Sequence, residues 1–379
     1  MDFIAQRGAE MSDTAKSASN REARLTAKRE ENQQQPLADW GFFGPESVGY
    51  QVWLYPTSVS LGFLRAVSVE FLDPHLTAAV MQTDQVRQRT QLRYDRTLQY
   101  FAAVLYADAE TVLKYSDMLM KIHSRAHGHD PVTGKTFDAN NPDSQLWIHM
   151  TAWHSILKMY EKFGPGKLSR QDEVKYWEDC AKAAEFQTMD PDKVPRSREA
   201  VRAYFRDWRP RNTATEGGQQ HYDFLVNGIG NISSQYDDPK RRFAGKILNF
   251  VTSRAILSTL PEWANTMGGQ RVTAFDQAFM TVFGNFSVRF AHKFLSDKPK
   301  LVMKVVADIS PLSYPILDPI FMKQQPLEDK VYDIAEAREK FGHTVSPIEQ
   351  FAAYQEARAQ GKGPKPYIPR HHDAILSFD

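Results

Sequence analysis

Two arginines and a threonine stand close together in the segment Arg93-Tyr94-Asp95-Arg96-Thr97. On a helix, positions three and four apart share a face, so Arg93, Arg96 and Thr97 would set two guanidiniums and a hydroxyl side by side. That face continues into Tyr100, Phe101 and Val104. Two histidines complete the set. His123 lies beside an apolar stripe in KIHSRAHG, and His149 stands among large side chains in LWIHMT.

An imidazole, basic partners and greasy walls are what a heme site needs: a ring nitrogen for iron, cations for propionates or a reduced oxygen species, and apolar surface for the macrocycle. Each residue also has a plainer reading. A histidine on an amphipathic helix is ordinarily a satisfied core or boundary residue. Arg93 can pair with Asp95, Asp73 or Glu70, and Thr97 can bond back to its own helix. His123, His127 and His149 could hold zinc or non-heme iron, although no acidic third ligand stands nearby in the sequence. The P-loop, HExxH, Glu-x-x-His and GxSxG patterns are all missing, which removes much of the common enzyme menu. Gly228-Ile229-Gly230 follows no convincing strand and reads as a turn.

The elements that must position these residues are helical. Apolar residues recur at steps of three and four over 86–106 and again over 109–126, where Val112, Tyr115, Leu119, Ile122 and Ala126 form one stripe. A third helix is expected over 143–163, stopped by Gly164-Pro165-Gly166. Ser169 and Ser197 are expected to cap helices over 170–186 and 197–208. Further helical stretches fall at 239–260 and 274–295. Ser346, Pro347 and Glu349 form a capping box for a helix that runs to about Gln360 and stops at Gly361. Segments 211–235 and 264–272 are rich in glycine and asparagine and read as loops, and no sustained strand alternation occurs. The expected class is all-α, in three parts: a flexible N-terminal arm (1–39), a helical domain (40–320), and a C-terminal helix with an extended, wrapping tail (321–379).

The 379 residues carry 47 Lys plus Arg against 46 Asp plus Glu, a net charge of +1. That balance supplies no bulk field for nucleic acid, so no nucleic-acid partner is expected. Cys180 is the one cysteine, which excludes internal disulfides and multi-thiolate metal sites. The N-terminus has no apolar signal core, and no run of 18 apolar residues occurs. These features point to a soluble cytoplasmic protein without a transmembrane segment, with room for peripheral membrane contact.

Seven segments in order make the chain similar to the MpaB-type oxygenases and bacterial rubber oxygenases (latex clearing proteins). They are FFGPESVGYQVW, LGFLRAVSVEFLDPHLTAAV, RYDRT, KIHSRAHG, LWIHMTAWHSILKMYEKFG, LSRQDEVKYWEDC and VPRSREAVRAYF, covering about 42–208. The resemblance implies a globin-like helical core that binds heme b and uses dioxygen, an oxidoreductase acting on a hydrophobic small molecule, unsaturated ones included. It places His123 as the iron ligand, Arg93 and Thr97 close to the heme, Arg96 where the rubber enzymes carry lysine, and His149 as a supporting residue or second ligand. Asp73-Pro74 stands where the family often has His-Pro, which makes Asp73 a candidate for handling protons. The alternative is a heme sensor, carrier or electron-transfer protein with both axial positions filled by His123 and His149. A third is a metal-free helical interaction protein.

Overall fold

Ser47 closes a glycine-rich lead-in loop and starts the first helix, its hydroxyl accepting from the Tyr50 N–H. The structure, a computed structural model, describes residues 37–81, 90–130, 134–234 and 237–366. The first helices are α1 (Val48–Leu54), α2 (Pro56–Glu70), α3 (Pro74–Met81), α4 (Thr90–Tyr106) and α5 (Ala109–His123). A two-stranded antiparallel ribbon follows, β1 (His127–His129) against β2 (Thr136–Asp138), with Gly128 opposite Phe137. Next come α6 (Pro142–Phe163), α7 (Arg170–Ala184), α8 (Arg198–Trp208), α9 (Glu216–Val226), α10 (Gly228–Ser233), α11 (Pro239–Leu257) and α12 (Glu262–Met267). The chain then forms α13 (Ala274–Phe279), a π turn (Met280–Gly284), α14 (Asn285–Ser296), α15 (Pro299–Ile309), α16 (Tyr314–Phe321), α17 (Ile334–Phe341) and α18 (Pro347–Ala359). The architecture is all-α, as expected.

Local chemistry sets many of the helix ends. Asn141 caps α6 and Gly164 ends it. Ser169 and Ser197 cap α7 and α8. The Ser346/Glu349 box starts α18, and Gly361 takes the left-handed conformation just beyond it. The helix expected over 109–126 stops at His123 because the chain turns into the ribbon. Gly228-Ile229-Gly230 opens the short helix α10 rather than a turn.

α6 is the central post. It meets α2 backbone to backbone at Gly62, where a Cβ would lie 2.7 Å from the Ile156 Cα. On its other side Trp153 joins a chain of rings, 5.2 Å from Trp53 and 5.1 Å from Tyr176, with Phe101 of α4 5.1 Å beyond Trp53. A second cluster stacks Trp147 on Trp208 at 5.0 Å, beside buried Tyr222 and Val226. Asp179 of α7 accepts from the Ser47 hydroxyl and the Gly49 N–H, which clamps α1 onto α7.

The expectation of a flexible arm through residue 39 needs correction at its end; residues 1–36 lie outside the described residues. Leu37 and Ala38 accept backbone bonds from Leu327 and Glu328, and Asp39 is buried, accepting from Gly41 and Ala109. A strap over 327–332 thus seals the start of the domain, since Trp40 donates to the Lys330 carbonyl and Tyr332 to that of Gly41. The C-terminal helices lie on α5: Asp117 accepts from Gln350 at 2.6 Å and pairs with His343 at 2.5 Å. The tail beyond 366 lies outside the described residues.

Candidate functional site

α4 and α5 form an antiparallel hairpin turning at Ala107-Asp108, where Asp108 caps α5 by accepting from Thr111. The Gln99 amide donates to the Tyr115 hydroxyl at 2.7 Å and fixes the register. With Gln99 opposite Tyr115, Arg96 and Thr97 stand alongside the last turns of α5, which His123 ends. Both are half-buried. Arg93 belongs to the first turn of α4, but its side chain lies outside the described residues.

His123 is half-buried, with Nδ1 3.4 Å from Gln145 Nε2. Gln145 is itself locked: its carbonyl accepts from the Thr188 N–H and hydroxyl, while its amide donates to the Ala139 carbonyl and Asn140 side chain. Asn140 in turn donates to the Met120 carbonyl, satisfying one of the open carbonyls at the end of α5. The platform under His123 is therefore a closed hydrogen-bond network.

His149 lies one turn along α6 from Gln145 and shares its face. It is 1% exposed, and Nε2 donates to the Cys180 carbonyl at 2.7 Å. Its Nδ1 is buried with no hydrogen-bond partner. Burial pushes the ring down to about 4, with the Cys180 bond opposing, so the imidazole is neutral and presents a bare lone pair. The structure thus brings His123 and His149 to one face of α6 with Gln145 between them.

Asp73 is placed differently. It is buried at the α2–α3 junction, and Oδ1 accepts from the His75 and Leu76 N–H groups, a capping role at the start of α3. Burial raises its carboxyl above the usual range, with the two backbone bonds opposing. Asp95 has both oxygens on the α15–α16 turn, taking the Ser310 hydroxyl and the Leu312 N–H. Glu70 accepts from Thr151 at 2.7 Å. Among the described residues no group of three His, Cys, Asp or Glu side chains is placed to hold a metal ion, so the His123, His127 and His149 triad is not assembled.

A cavity of about 170 Å³ lies on the neighbouring face of α4. Tyr94, Leu98 and Phe101 wall it on one side, and Val302, Val306 and Leu317 on the other. The space exceeds a cavity of about 150 Å³ that admits benzene, and its lining is mostly apolar, with Ser60, Ser310 and Ser313 among it. None of Arg96, Thr97, His123 or His149 lines it. α4 therefore separates an apolar chamber from the polar face beside His123.

One residue escaped the sequence reading. Arg65 is 5% exposed, donating from Nη1 to Ser155 at 2.7 Å and from Nη2 to the Thr259 carbonyl at 3.2 Å. Its Nε is buried without a partner, and no carboxylate pairs with it among the described residues. Burial draws it down to about 10. Nearby His154 is held far below the ordinary histidine value by burial and by Arg65, Lys158, Arg198 and Arg202. The signal was present as a lone arginine inside the apolar run LGFLRAVSV.

The fold is an all-α domain built around one central helix. Residues 50–289 match the family described as ER-bound oxygenase mpaB/B'/Rubber oxygenase, catalytic domain. The match spans 240 of 379 residues and reaches well past 208, where the resemblance of individual motifs fades. The chain belongs to this family. No curated protein and no solved structure matches it.

Proposed function

We propose that this chain is a heme b-dependent oxygenase that uses dioxygen to oxidise a hydrophobic small molecule, with His123 as the iron ligand. The observation that carries the reading is a half-buried imidazole at the end of α5, braced by Gln145. The donor types suit such a group, an imidazole for iron and a guanidinium on α4 for carboxylate or oxygen-derived charge, while the apolar chamber lies apart from them. With Nδ1 turned toward Gln145, Nε2 is the nitrogen that would coordinate. Bound heme would supply dioxygen activation and electron storage.

The chain's own residues supply the rest. Arg93 and Arg96 would offset negative charge beside a bound heme, and Thr97 would orient them by hydrogen bonding. Neutral His149 supports the pocket from behind Gln145 and adds no charge to the interior. The chamber walled by Tyr94 and Leu98 offers a hydrophobic molecule an apolar site on this domain, apart from His123. Asp73 is the candidate for holding a proton, because its buried carboxyl stays protonated to higher pH than an exposed one.

The test is an absorption spectrum of the purified protein with and without added hemin. Wild type is expected to bind one heme and His123→Ala to lose stoichiometric binding. Full occupancy in that variant would move the ligand elsewhere. The unpartnered Nδ1 of His149 favours a second reading, a heme carrier without oxygenase turnover. A low-spin ferrous spectrum indifferent to carbon monoxide would select the carrier, and a ligand-responsive spectrum the oxygenase.

A further inference from the structure

Eight of the chain's 23 phenylalanines fall between residues 243 and 294, and most face water. Phe243, Phe275, Phe283, Phe286 and Phe290 are 61–70% exposed and Phe294 44%. The rings form ladders. Phe275, Phe279 and Phe283 stack at 6.2 and 6.0 Å, and Phe286, Phe290 and Phe294 at 6.2 and 6.4 Å. Phe250 of α11 joins the first ladder at 5.3 Å from Phe279.

The π turn between α13 and α14 aligns the two ladders. Phe275 and Phe294 are 294 − 275 = 19 residues apart. A π turn absorbs about one extra residue, which leaves about 18, or five whole turns at about 3.6 residues each. Gly284 permits the bulge, since a Cβ there would meet the Met280 sulfur at 2.3 Å. The result is a continuous aromatic stripe. Lone exposed apolar residues are ordinary on a protein surface, but a contiguous run of this size marks a binding face.

The same stretch is strongly basic. Residues 239–304 hold eleven Lys and Arg against three Asp and Glu, 11 − 3 = +8, in a chain whose total is +1. Arg289 and Lys293 are exposed beside the α14 stripe, and Lys298 lies 3.6 Å from the Phe294 ring centroid. α11 and the stretch from α13 through α15 themselves hold ten Lys and Arg against three Asp and Glu, 10 − 3 = +7, so a second copy of this face would oppose +7 with +7. A single-stranded nucleic acid would use the rings but not the exposed Ile247, Leu248, Val282 and Leu301 among them. Aromatic and aliphatic side chains level with a rim of cations match one surface chemistry, acyl chains beneath anionic headgroups.

We propose that the α11 and α13–α15 face docks onto an anionic lipid bilayer, with the phenylalanine stripe at the acyl boundary. No helix among the described residues is long and apolar enough to cross a membrane, so the chain rests on the bilayer here. α14 and α15 also back the cavity. Leu295, Val302 and Val305 line the chamber, and Val305 is 44% exposed. An apolar molecule leaving the bilayer therefore has only the α15 wall to pass before reaching α4.

The test is flotation of the full chain with vesicles of phosphatidylcholine alone or with one third phosphatidylglycerol. Wild type is expected to float with the anionic vesicles and to release with added salt. The triple variant F286S/F290S/F294S should partition at least about tenfold less, and K293Q/K298Q/K300Q about tenfold less at low salt, with unchanged circular dichroism. If the triple phenylalanine variant fails to fold, F290S alone carries the same test. The proposal is overturned if wild type ignores anionic vesicles, or if the phenylalanine variants bind like wild type. It is equally overturned if wild type is a dimer that those variants split, or if a polynucleotide displaces the vesicles while the protein binds it through the rings. Binding is scored on protein with or without heme, so failure of the iron assignment leaves this result readable.

Discussion

Acid should destabilise the fold through His149, and the amount follows from its surroundings. An unfolded histidine titrates near 6.5, whereas burial holds this ring at about 4. The folded value is the lower one, so the unfolded chain binds the extra proton between the two. The stability His149 contributes is complete above 6.5 and is lost as pH falls from 6.5 toward 4. Over the full window the gap of 6.5 − 4 = 2.5 units corresponds to on the order of 3 kcal/mol, of which about 2 kcal/mol is lost between pH 7 and 5. The ring is 1% exposed, so solvent screening removes little of this. His149→Gln keeps an amide donor for the Cys180 carbonyl and cannot titrate. Urea unfolding at pH 7 and pH 5 should show wild type losing about 2 kcal/mol more than the variant. The difference between the two proteins is the readout, because His154 acts in the same direction while buried Asp39, Asp73, Asp95 and Asp179 act oppositely. Equal pH dependence in both proteins would refute a neutral, buried His149.

Gly62→Ala drives a methyl into the Ile156 backbone and should cost about 1–3 kcal/mol despite alanine's better helix propensity, read from the urea midpoint. Val306→Phe should fill the chamber beside α4: benzene is expected to raise the melting temperature of wild type and to leave the variant's unchanged, and an equal rise in both would place the ligand elsewhere. His123→Ala should lose heme while keeping the wild-type melting temperature of the heme-free protein within a few degrees, because the platform of Gln145, Thr188 and Asn140 survives without the ring.

Much of the fold could be read residue by residue. Ser47, Asn141, Ser169, Ser197 and the Ser346/Glu349 box do their work within one turn of their own position, so no distant contact is needed to predict the ends they set. The segments read as loops show the limit. Glycine and asparagine lower helix propensity in 211–235 and 264–272, yet α9 and α12 form there because Tyr222, Val226 and Ala264 bury against Trp147 and Ile256. Burial contributes more than propensity removes.

For the site, spacing located the candidate residues and the family resemblance assigned their roles. Helical periodicity put Arg96 and Thr97 on one face and singled out His123 and His149. Tertiary packing alone decided that Gln145 links the two histidines, that Asp73 caps α3, that Arg65 is buried with no carboxylate paired to it among the described residues, and that the chamber is lined without His123. The physical reason is range. Side-chain direction repeats every 3.6 residues and is written locally, whereas the partner covering each face comes from elements many residues away whose approach only the whole packing fixes.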